Sequence, residues 1–229
     1  MFLSNLREAG GIPAAGGQIA SGVLFRSAAP LQINDELTNW VDDAHITSIY
    51  DLRSSQETGY MPGFPRSLGS ATRTHMPLLE GALGQLATLE DIYLPLVSQH
   101  ADTWVELARG ILASEASLVH CTAGKDRTGV GIAMVLLAVG ADHDAVMEDY
   151  AASTPALSGD WLSTMNAQMG KHGVPMTEDM RTLMVGTSVA GLDLALDVAR
   201  AEGSIADYLL KNGLKPAELE ALGQKLVVS

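Results

Sequence analysis

Apolar and β-branched residues form four short runs in the first two thirds of the chain, with segments of helical periodicity between them. The runs predict strands at 23–26, 46–52, 72–76 and 117–120, and the periodic segments predict helices at 34–40, 89–113 and 128–139. Because strands and helices alternate, this order predicts an α/β fold with a central, mostly parallel sheet flanked by helices. The segments 10–22 and 59–69, which contain glycine and proline, predict irregular structure.

After residue 142 the pattern shows helical periodicity alone and predicts no further strand. The predicted helices are 146–151, 160–169, 178–201, 204–210 and 216–227, with N-caps at Thr177 and Ser204. We therefore predict an α/β core over residues 1–157 and a helical extension or lid over residues 158–229, packed on the core as one structural unit.

The overall composition is that of an acidic globular protein. Of the 229 residues, 47% are hydrophobic and 18% are charged, which supplies enough apolar surface for a core. Lys and Arg number 14 against 27 Asp and Glu, so the formal net charge is −13. This balance argues against nucleic-acid partners, because affinity for duplexes comes mainly from basic side chains that neutralise phosphates.

The cysteine and histidine content predicts neither a disulfide nor a metal site. One cysteine cannot form an internal disulfide and is too few for a cysteine zinc site. The histidines lack the i, i+4 spacing and clustered acids of metal ligands; the scattered ones are His75, His100, His143 and His172.

The N-terminal segment and the longest apolar run bear on localisation. The start, MFLSNLREAGG, lacks a basic region followed by an apolar core, so no secretory signal is predicted. The apolar run 129–141 is well short of the roughly 20 residues that a transmembrane helix needs. We therefore expect a cytoplasmic protein with no transmembrane segment.

The segment 117–131, SLVHCTAGKDRTGVG, combines an apolar strand, a tight loop and the start of an apolar helix. A helix N-terminus presents unpaired N–H groups and a partial positive charge, so the amides of residues 122–127 are predicted to surround a tetrahedral anion. Gly124 allows the backbone to turn. Arg127 would bind two phosphate oxygens with its planar guanidinium, and Lys125 adds a second cation. The segment therefore predicts a phosphate-binding loop.

Cys121 directly follows the strand and is the candidate nucleophile. The loop amides and cations favour its thiolate form and place it beneath a bound phosphorus. A lone cysteine is more often a small buried hydrophobe, but a core position does not require a glycine, a lysine and an arginine at fixed offsets. A nucleotide-binding P-loop is excluded, because Asp126 stands where that motif needs Ser or Thr and Val119 where it needs Gly.

The residues HCTAGKDRTG at 120–129 resemble the signature H-C-x-x-G-x-x-R-[ST]-G of cysteine-dependent protein-tyrosine and dual-specificity phosphatases. The residues K-D-R-T within it resemble the signature of a bacterial branch of these phosphatases, which has secreted mycobacterial members and members active on lipids. The resemblance extends to NLREAGGIP, LFRSAAP, DLRSSQE and SIADYLLKNGLKPAELEAL, and is weakest over 158–201, where some relatives have lid helices. Export without a signal peptide is compatible with this resemblance.

The resemblance implies a two-step displacement that needs no cofactor. Cys121 attacks phosphorus to form a phosphocysteine, which water hydrolyses, while Arg127 and the loop amides bind the equatorial oxygens. The Thr128 hydroxyl would assist departure of the thiolate or cap the helix, and His120 would order the loop rather than accept a proton. The residues expected to bind substrate are Thr122, Ala123, Gly124, Lys125 and Arg127.

The general acid has more than one candidate. A tyrosyl leaving group has a pKa near 10, so its departure benefits from a proton donor, but the chain has no W-P-D motif. Asp126 matches the position of an Asp in myotubularin-type and Sac-type phosphoinositide phosphatases and is the first candidate. Asp51, at the end of its strand, is the second, with orientation of Arg53 or support of the loop as its alternative role. Asp91 is the third.

The sequence leaves the substrate class open. Lys125 resembles a lysine of phosphoinositide phosphatases, but Thr122 stands where those enzymes have a further basic residue, and Arg53 would either replace that charge or form a salt bridge. Phosphotyrosyl, phosphoseryl or phosphothreonyl proteins and phosphoinositides are the candidate partners. A phosphate-recognition module without turnover and a rhodanese-like sulfurtransferase are the alternative functions. The sequence does not decide the oligomeric state.

Overall fold

The computed structural model describes residues 3–61, 63–81, 88, 90–171, 175–201 and 203–229. In chain order the elements of this part are β1 (Arg7–Glu8), β2 (Pro13–Ala14), β3 (Gly17–Ile19), β4 (Leu24–Ser27), α1 (Asp35–Asp43), β5 (Ile46–Asp51), α2 (Ser55–Tyr60), β6 (Ser67–Leu68), β7 (Ala71–His75), α3 (Glu90–Gln99), α4 (Ala101–Ala113), β8 (Ala116–His120), α5 (Asp126–Ala138), α6 (His143–Ala151), α7 (Ser153–Leu157), α8 (Asp160–Lys171), α9 (Glu178–Val185), α10 (Val189–Arg200), α11 (Ile205–Lys211), α12 (Pro216–Leu226) and β9 (Val227–Val228).

The described residues form a central six-stranded sheet in the order β1-β4-β8-β5-β7-β6. The four inner strands are parallel, whereas β1 and β6 pair antiparallel at the two edges. This confirms the predicted α/β fold with a mostly parallel sheet, and the four strands predicted from the sequence are the four parallel ones. Their ends differ from the predicted ends by no more than a residue or so.

The carboxyl ends of the parallel strands lie side by side. In the sheet register His120, the last residue of β8, is opposite Ser27 of β4 on one side and Asp51 of β5 on the other. Every residue of β8 is buried. In open α/β sheets this edge is where ligands bind, so the register brings the predicted phosphate-binding loop to that edge.

The helices confirm most of the predicted periodicity. Asn34 caps α1 by accepting a hydrogen bond from the Leu37 amide, and α5 is buried along most of its length. The single periodic segment at 89–113 forms two helices, α3 and α4. The indole of Trp104 on α4 donates to the Leu96 carbonyl of α3 over 2.8 Å, which ties the two helices together.

The C-terminal helices pack on the same core as the sheet. Helix α10 contacts α3, α11 contacts α5, and α12 contacts α4. Leu192, Leu209 and Leu226 are fully buried or nearly so and belong to one cluster with Val119 and Val130. The packing therefore connects residues of the predicted extension to the central sheet through shared apolar contacts.

Two predictions about regular structure near the chain ends were wrong. The segment 10–22 is not irregular, because β2 and β3 form an antiparallel hairpin there. A strand also occurs after residue 142: Val228 and Val227 of β9 pair with Gln18 and Ile19 of β3. Strands of two or three residues are too short to show an alternating pattern, and only pairing across the fold defines them.

The chain between β5 and β7 also differs from the prediction. The segment after Ser54 forms helix α2, which the sequence analysis missed, and the predicted loop 59–69 contains the short strand β6. Ser54 and Glu57 form a capping box, in which each side chain bonds to the other residue's backbone N–H. That Ser-x-x-Glu spacing was the available signal for a helix start, although six residues are too few for a clear period.

No single helix in the described ranges is long and apolar enough to cross a membrane. Helices α9 and α10, which are bent by 52° relative to each other, meet the length and composition test only when taken together.

Candidate active site

The loop between β8 and α5 forms the floor of a pocket, and Cys121 is its first residue. The Cys121 side chain is buried, and the residue is 3% exposed. Gly124 has a φ of +66°, and a Cβ on it would lie 2.0 Å from the backbone oxygen of Ser27. The loop can pass this close to β4 only because residue 124 has no side chain.

Side chains from the N-terminal part of the chain bind the outward-facing carbonyls of this loop. The Asn5 amide donates to the carbonyls of Ala123 and Gly124 over 2.9 and 3.0 Å. Arg26 donates to the carbonyls of Gly124 and Lys125 over 3.0 and 3.3 Å. The amides of the loop, residues 122–125, donate to no described residue and are free to bind an anion.

Arg26 is held in place by a buried ion cluster. Asp149 on α6 pairs with Arg26 through one carboxylate oxygen at 2.5 Å and with Arg7 through the other at 2.6 Å. Burial alone would raise the pKa of Asp149, but the charges of Arg26 and Arg7 outweigh burial and lower it. The cluster therefore remains ionised and fixes the Arg26 guanidinium against the loop.

The guanidinium of Arg127 faces the pocket and is bound along one edge by Glu57 of α2. Its Nη1 and Nη2 lie 2.5 and 2.7 Å from the two Glu57 carboxylate oxygens. Burial would raise the pKa of Glu57, but its hydrogen bonds and charge interaction with Arg127 lower that pKa to about 2. The Nε of Arg127 donates to no described residue, so the edge formed by Nε and Nη2 can bind phosphate oxygens.

Glu57 is the site residue that the sequence analysis missed. It also accepts a 2.5 Å hydrogen bond from the Thr122 hydroxyl and bonds with the backbone and hydroxyl of Ser54. One carboxylate thus connects the helix cap, the loop and the arginine. Its position in the segment DLRSSQE, which resembles the phosphatases, was a second signal besides the capping box.

The pocket has a volume of about 230 Å³. The structure brings five of the predicted site residues together there: Cys121, Thr122, Ala123, Asp126 and Arg127. Its other lining residues are Glu57 and four apolar side chains from α3, α8 and α9: Ile92, Trp161, Leu183 and Met184. A cavity of about 400 Å³ beside α10 and α11 contains none of the predicted site residues.

Asp126 opens α5 and lines the pocket. Its Oδ1 accepts a 2.6 Å hydrogen bond from the Tyr93 hydroxyl, and its Oδ2 lies 3.2 Å from the Lys125 ammonium. Lys125 is buried and does not line the pocket, because its ammonium donates to the carbonyls of Leu183 and Gly186 at the end of α9. In this structure Lys125 therefore connects the loop to α9.

Asp51 lies beneath the pocket and does not line it. The fully buried carboxylate binds Arg53 over 2.8 and 2.9 Å and Arg73 over 2.9 Å. Burial would raise the pKa of Asp51, but the hydrogen bonds and charge of Arg53 lower it far below its usual range. An acid that is ionised and enclosed in this way is poorly placed to protonate a leaving group.

His120 and Thr128 are also buried beside the loop. The His120 Nδ1 donates to the Cys121 carbonyl over 3.1 Å, and its ring contacts Phe64 edge-on at 5.0 Å. Burial lowers the pKa of His120 to about 4, so the ring is neutral at pH 7. The Thr128 hydroxyl is buried and has no hydrogen-bond partner in the described part of the chain.

The remaining acid candidate lies away from the pocket. Asp91 is exposed near the start of α3, where its carboxylate accepts a hydrogen bond from the Thr88 amide over 3.0 Å. Among the described residues no group of three or more His, Cys, Asp or Glu side chains is arranged to hold a metal ion.

Comparison with known proteins places the chain among phosphatase sequences. Residues 2–228 match the profile of the tyrosine phosphatase family. A protein from Cupriavidus necator whose name assigns it to the tyrosine-protein phosphatases is 26% identical over 227 residues, covering 90% of this chain and 80% of that protein. The triple specificity protein phosphatase PtpB of Mycobacterium tuberculosis is 47% identical over 47 residues, covering 20% of this chain and 17% of that protein. The crystal structure of TpbA from P. aeruginosa aligns at 17% identity with a TM-score of 0.41, covering 84% of this chain and 90% of that one.

Proposed function

Because the chain belongs to the tyrosine phosphatase family, we propose that it hydrolyses phosphate monoesters through a phosphocysteine on Cys121. The Cys121 thiolate attacks phosphorus as the ester P–O bond breaks, and the electron pair of that bond leaves with the ester oxygen, which takes up a proton. Water then attacks the phosphocysteine, which releases inorganic phosphate and restores the thiolate.

The observation that carries this proposal is the placement of Cys121 and the free edge of Arg127 in one pocket. The amides of residues 122–125, in the same loop, donate to no described residue and are available to an anion. Hydrogen-bond donors that are fixed before the reaction stabilise the charge that develops on the equatorial oxygens. The side chains of Asn5 and Arg26 hold the loop amides in place, because both donate hydrogen bonds to backbone carbonyls of the loop.

We assign the general acid to Asp126. It lines the pocket with Cys121, whereas Asp51 is enclosed by Arg53 and Arg73 and Asp91 is exposed elsewhere. Asp126→Asn should lower turnover of phenyl phosphate by about 100-fold, in the range that general acid catalysis contributes. If Asp126→Asn kept full turnover of phenyl phosphate across the pH range while Asp51→Asn did not, the acid would be Asp51.

The apolar walls favour a phosphotyrosyl substrate. Ile92, Trp161 and Leu183 face the pocket above the loop, and an aromatic ring gains more from such walls than a polyhydroxylated inositol ring does. The Lys125 ammonium, which would bind further inositol phosphates, is occupied by backbone carbonyls. The mycobacterial relative is named a triple specificity protein phosphatase. Turnover of a phosphotyrosyl peptide should therefore be compared with turnover of phosphoseryl peptides and phosphoinositides.

The first experiment compares hydrolysis of an aryl phosphate by the wild-type protein and by Cys121→Ser. We expect turnover by the wild type and none by the variant, with phosphate binding retained in both. Phosphate binding without turnover in the wild type would support a recognition module instead. Transfer of sulfur from thiosulfate to cyanide, without ester hydrolysis, would support the sulfurtransferase alternative.

The second experiment measures kcat/KM for a phosphotyrosyl peptide, the matching phosphoseryl peptide and a phosphoinositide in micelles. We expect the phosphotyrosyl peptide to be the best substrate. Trp161→Ala should reduce this preference, because it removes an apolar wall and leaves Cys121 and Arg127 unchanged. A phosphoinositide turned over faster than the phosphotyrosyl peptide would contradict the proposed substrate class.

A further inference from the structure

Two buried tyrosines connect Asp126 to the chain that follows α9. The Tyr93 hydroxyl on α3 donates to Asp126 Oδ1 over 2.6 Å and also contacts the Tyr150 hydroxyl on α6. The Tyr150 hydroxyl accepts a 3.1 Å hydrogen bond from the Ser188 amide.

The direction of this hydrogen-bond chain follows from the number of protons available. Each tyrosine hydroxyl has one proton to donate. When Asp126 is ionised its carboxylate can only accept, so the Tyr93 proton points to Oδ1 and the Tyr150 proton must point to Tyr93. The Ser188 amide, which can only donate, completes the chain. Each group in the chain from Ser188 to Asp126 therefore donates its hydrogen bond towards Asp126.

Both tyrosines are suited to remain donors at every working pH. Tyr93 and Tyr150 are almost completely buried. Burial, followed by the negative charge of Asp126, raises the pKa of each phenol above its usual range. The first turn of α5 also packs directly against the Tyr150 ring. A Cβ atom on Gly129 would lie only 2.7 Å from Cδ2 of that ring.

We propose that Tyr93 is a positioning residue for the general acid, supported by Tyr150. It binds Oδ1 of Asp126, which leaves Oδ2, the oxygen on the Lys125 side, to carry the catalytic proton. As the P–O bond breaks and the S–P bond forms, that proton moves from Oδ2 to the ester oxygen and leaves Asp126 ionised. This inference rests on the proposed phosphatase function. The other charged or titratable groups around Asp126 are Lys125 and Arg127 on its own loop, Cys121 beneath it and Glu57 of α2.

The role has two consequences that differ from those of simple packing. The Tyr93 hydrogen bond favours the ionised carboxylate, so its loss should favour the protonated form and move the alkaline limb of the pH profile to higher pH. Imprecise placement of the acid should slow only those reactions that need a proton. Esters of very acidic phenols leave without one and should be unaffected.

The test compares Tyr93→Phe with Tyr208→Phe as a matched control. Tyr208 is also a tyrosine that donates to an internal acceptor, the Val97 carbonyl at 2.6 Å, and it lies on α11, outside the pocket. For both variants kcat is measured against pH with phenyl phosphate and with 4-nitrophenyl phosphate, whose phenol is far more acidic. Thermal unfolding of each variant reports the loss of packing separately.

For Tyr93→Phe we expect kcat on phenyl phosphate to fall about 10-fold, with an upward shift of the alkaline limb by about one pH unit. Turnover of 4-nitrophenyl phosphate should stay near wild type. Tyr150→Phe should show the same changes in weaker form, because Tyr93 keeps its bond to Asp126 but loses a polarising donor. Tyr208→Phe should change neither the alkaline limb of the pH profile nor the dependence of kcat on the leaving group.

Equal effects of Tyr93→Phe on both esters, with an unmoved alkaline limb, would overturn the positioning role. The proposed function would still stand in that case if Cys121→Ser were inactive and the wild type active. Wild-type turnover by Cys121→Ser would instead overturn the proposed function, whatever Tyr93→Phe showed. If Tyr93→Phe failed to fold, Tyr150→Phe would serve as the test. A wild-type pH profile for Tyr150→Phe would then contradict the hydrogen-bond chain from Ser188 to Asp126.

Discussion

The carboxylate of Glu57 and the guanidinium of Arg127 meet edge to edge, with Nη–Oε distances of 2.5 and 2.7 Å. The two residues lie 70 positions apart in the sequence, on α2 and at the start of α5. This contact uses one edge of the guanidinium and leaves the other for substrate. Glu57 therefore sets the orientation in which Arg127 meets a phosphate.

Glu57→Gln should impair catalysis and stability together. The amide replaces one of the two acceptor oxygens with an NH2 donor that would face an Nη group, and the variant leaves a buried cation without its counter-charge. We expect a loss of about 3 kcal/mol in the free energy of unfolding and a fall in kcat/KM of more than 10-fold. Glu106→Gln is the control, because its ion pair with Arg109 is exposed and should contribute little to either quantity. Urea denaturation and steady-state kinetics measure both, and wild-type kinetics for Glu57→Gln would contradict the role.

Asn5→Ala should loosen the phosphate-binding loop from outside the pocket. The substitution removes two hydrogen bonds to the carbonyls of residues 123 and 124, which together stabilise the fold by about 2 kcal/mol. We expect weaker inhibition by inorganic phosphate as well as the lower stability. Asn212→Ala removes one exposed hydrogen bond to the Tyr208 carbonyl and should leave phosphate inhibition unchanged. If the two variants had equal inhibition constants for inorganic phosphate, Asn5 would play no part in phosphate binding by the loop.

Gly124→Ala should abolish most activity. Its methyl group would lie 2.0 Å from the Ser27 oxygen, and the φ of +66° disfavours any side chain. The loop must move away from β4, which displaces the amides around the phosphate. Gly223→Ala, in open space within α12, should instead stabilise the protein by about 0.5–1 kcal/mol without changing kcat. Both are checked by thermal unfolding and turnover of an aryl phosphate.

His120 should make the protein less stable as the pH falls from 6.5 towards 4. Burial lowers the pKa of His120 from 6.5 to about 4 in the folded state, so below pH 6.5 the unfolded chain binds a proton that the folded chain does not. The shift corresponds to about 3 kcal/mol of stability lost over this interval. Glu57, whose pKa is lowered from 4.5 to about 2, should extend the loss to lower pH.

Urea denaturation at several pH values tests this dependence with His120→Asn. The variant should lack the loss between pH 6.5 and 4 and keep the loss below pH 4.5. His143→Asn is the control of opposite sign: Asp144 and Asp193 raise the pKa of His143, so its stabilisation is present at low pH and declines as the pH rises through that pKa. An unchanged pH dependence in His120→Asn would show that other groups cause the acid destabilisation.

The sequence contained enough information for the sheet and for the segment around Cys121. The four parallel strands were predicted because each is a short run of apolar or β-branched residues bounded by polar or turn-forming segments. The loop was predicted because Cys121, Gly124, Lys125 and Arg127 stand at fixed short spacings between a strand and a helix. Local signals of this kind lie within a few positions of one another.

The rest of the site depends on contacts between distant segments. Tyr93 precedes Asp126 by 33 positions, and Asn5 precedes Gly124 by 119. No periodicity or spacing reports such pairs, because the sheet register and the packing of α3 and α6 on α5 bring them together. The same holds for Lys125, whose partners at the end of α9 lie about 60 positions later.

The pairing of β3 with β9 has a consequence for the order of events during synthesis. Gln18 pairs with Val228, so the outer edge of the β2–β3 hairpin stays uncovered until residue 228 has left the ribosome. Contacts between such distant segments form late and slow the overall folding rate. Until then the open edge of β3 is an available partner for other nascent chains. Addition of β9 therefore covers an edge that is exposed during most of synthesis.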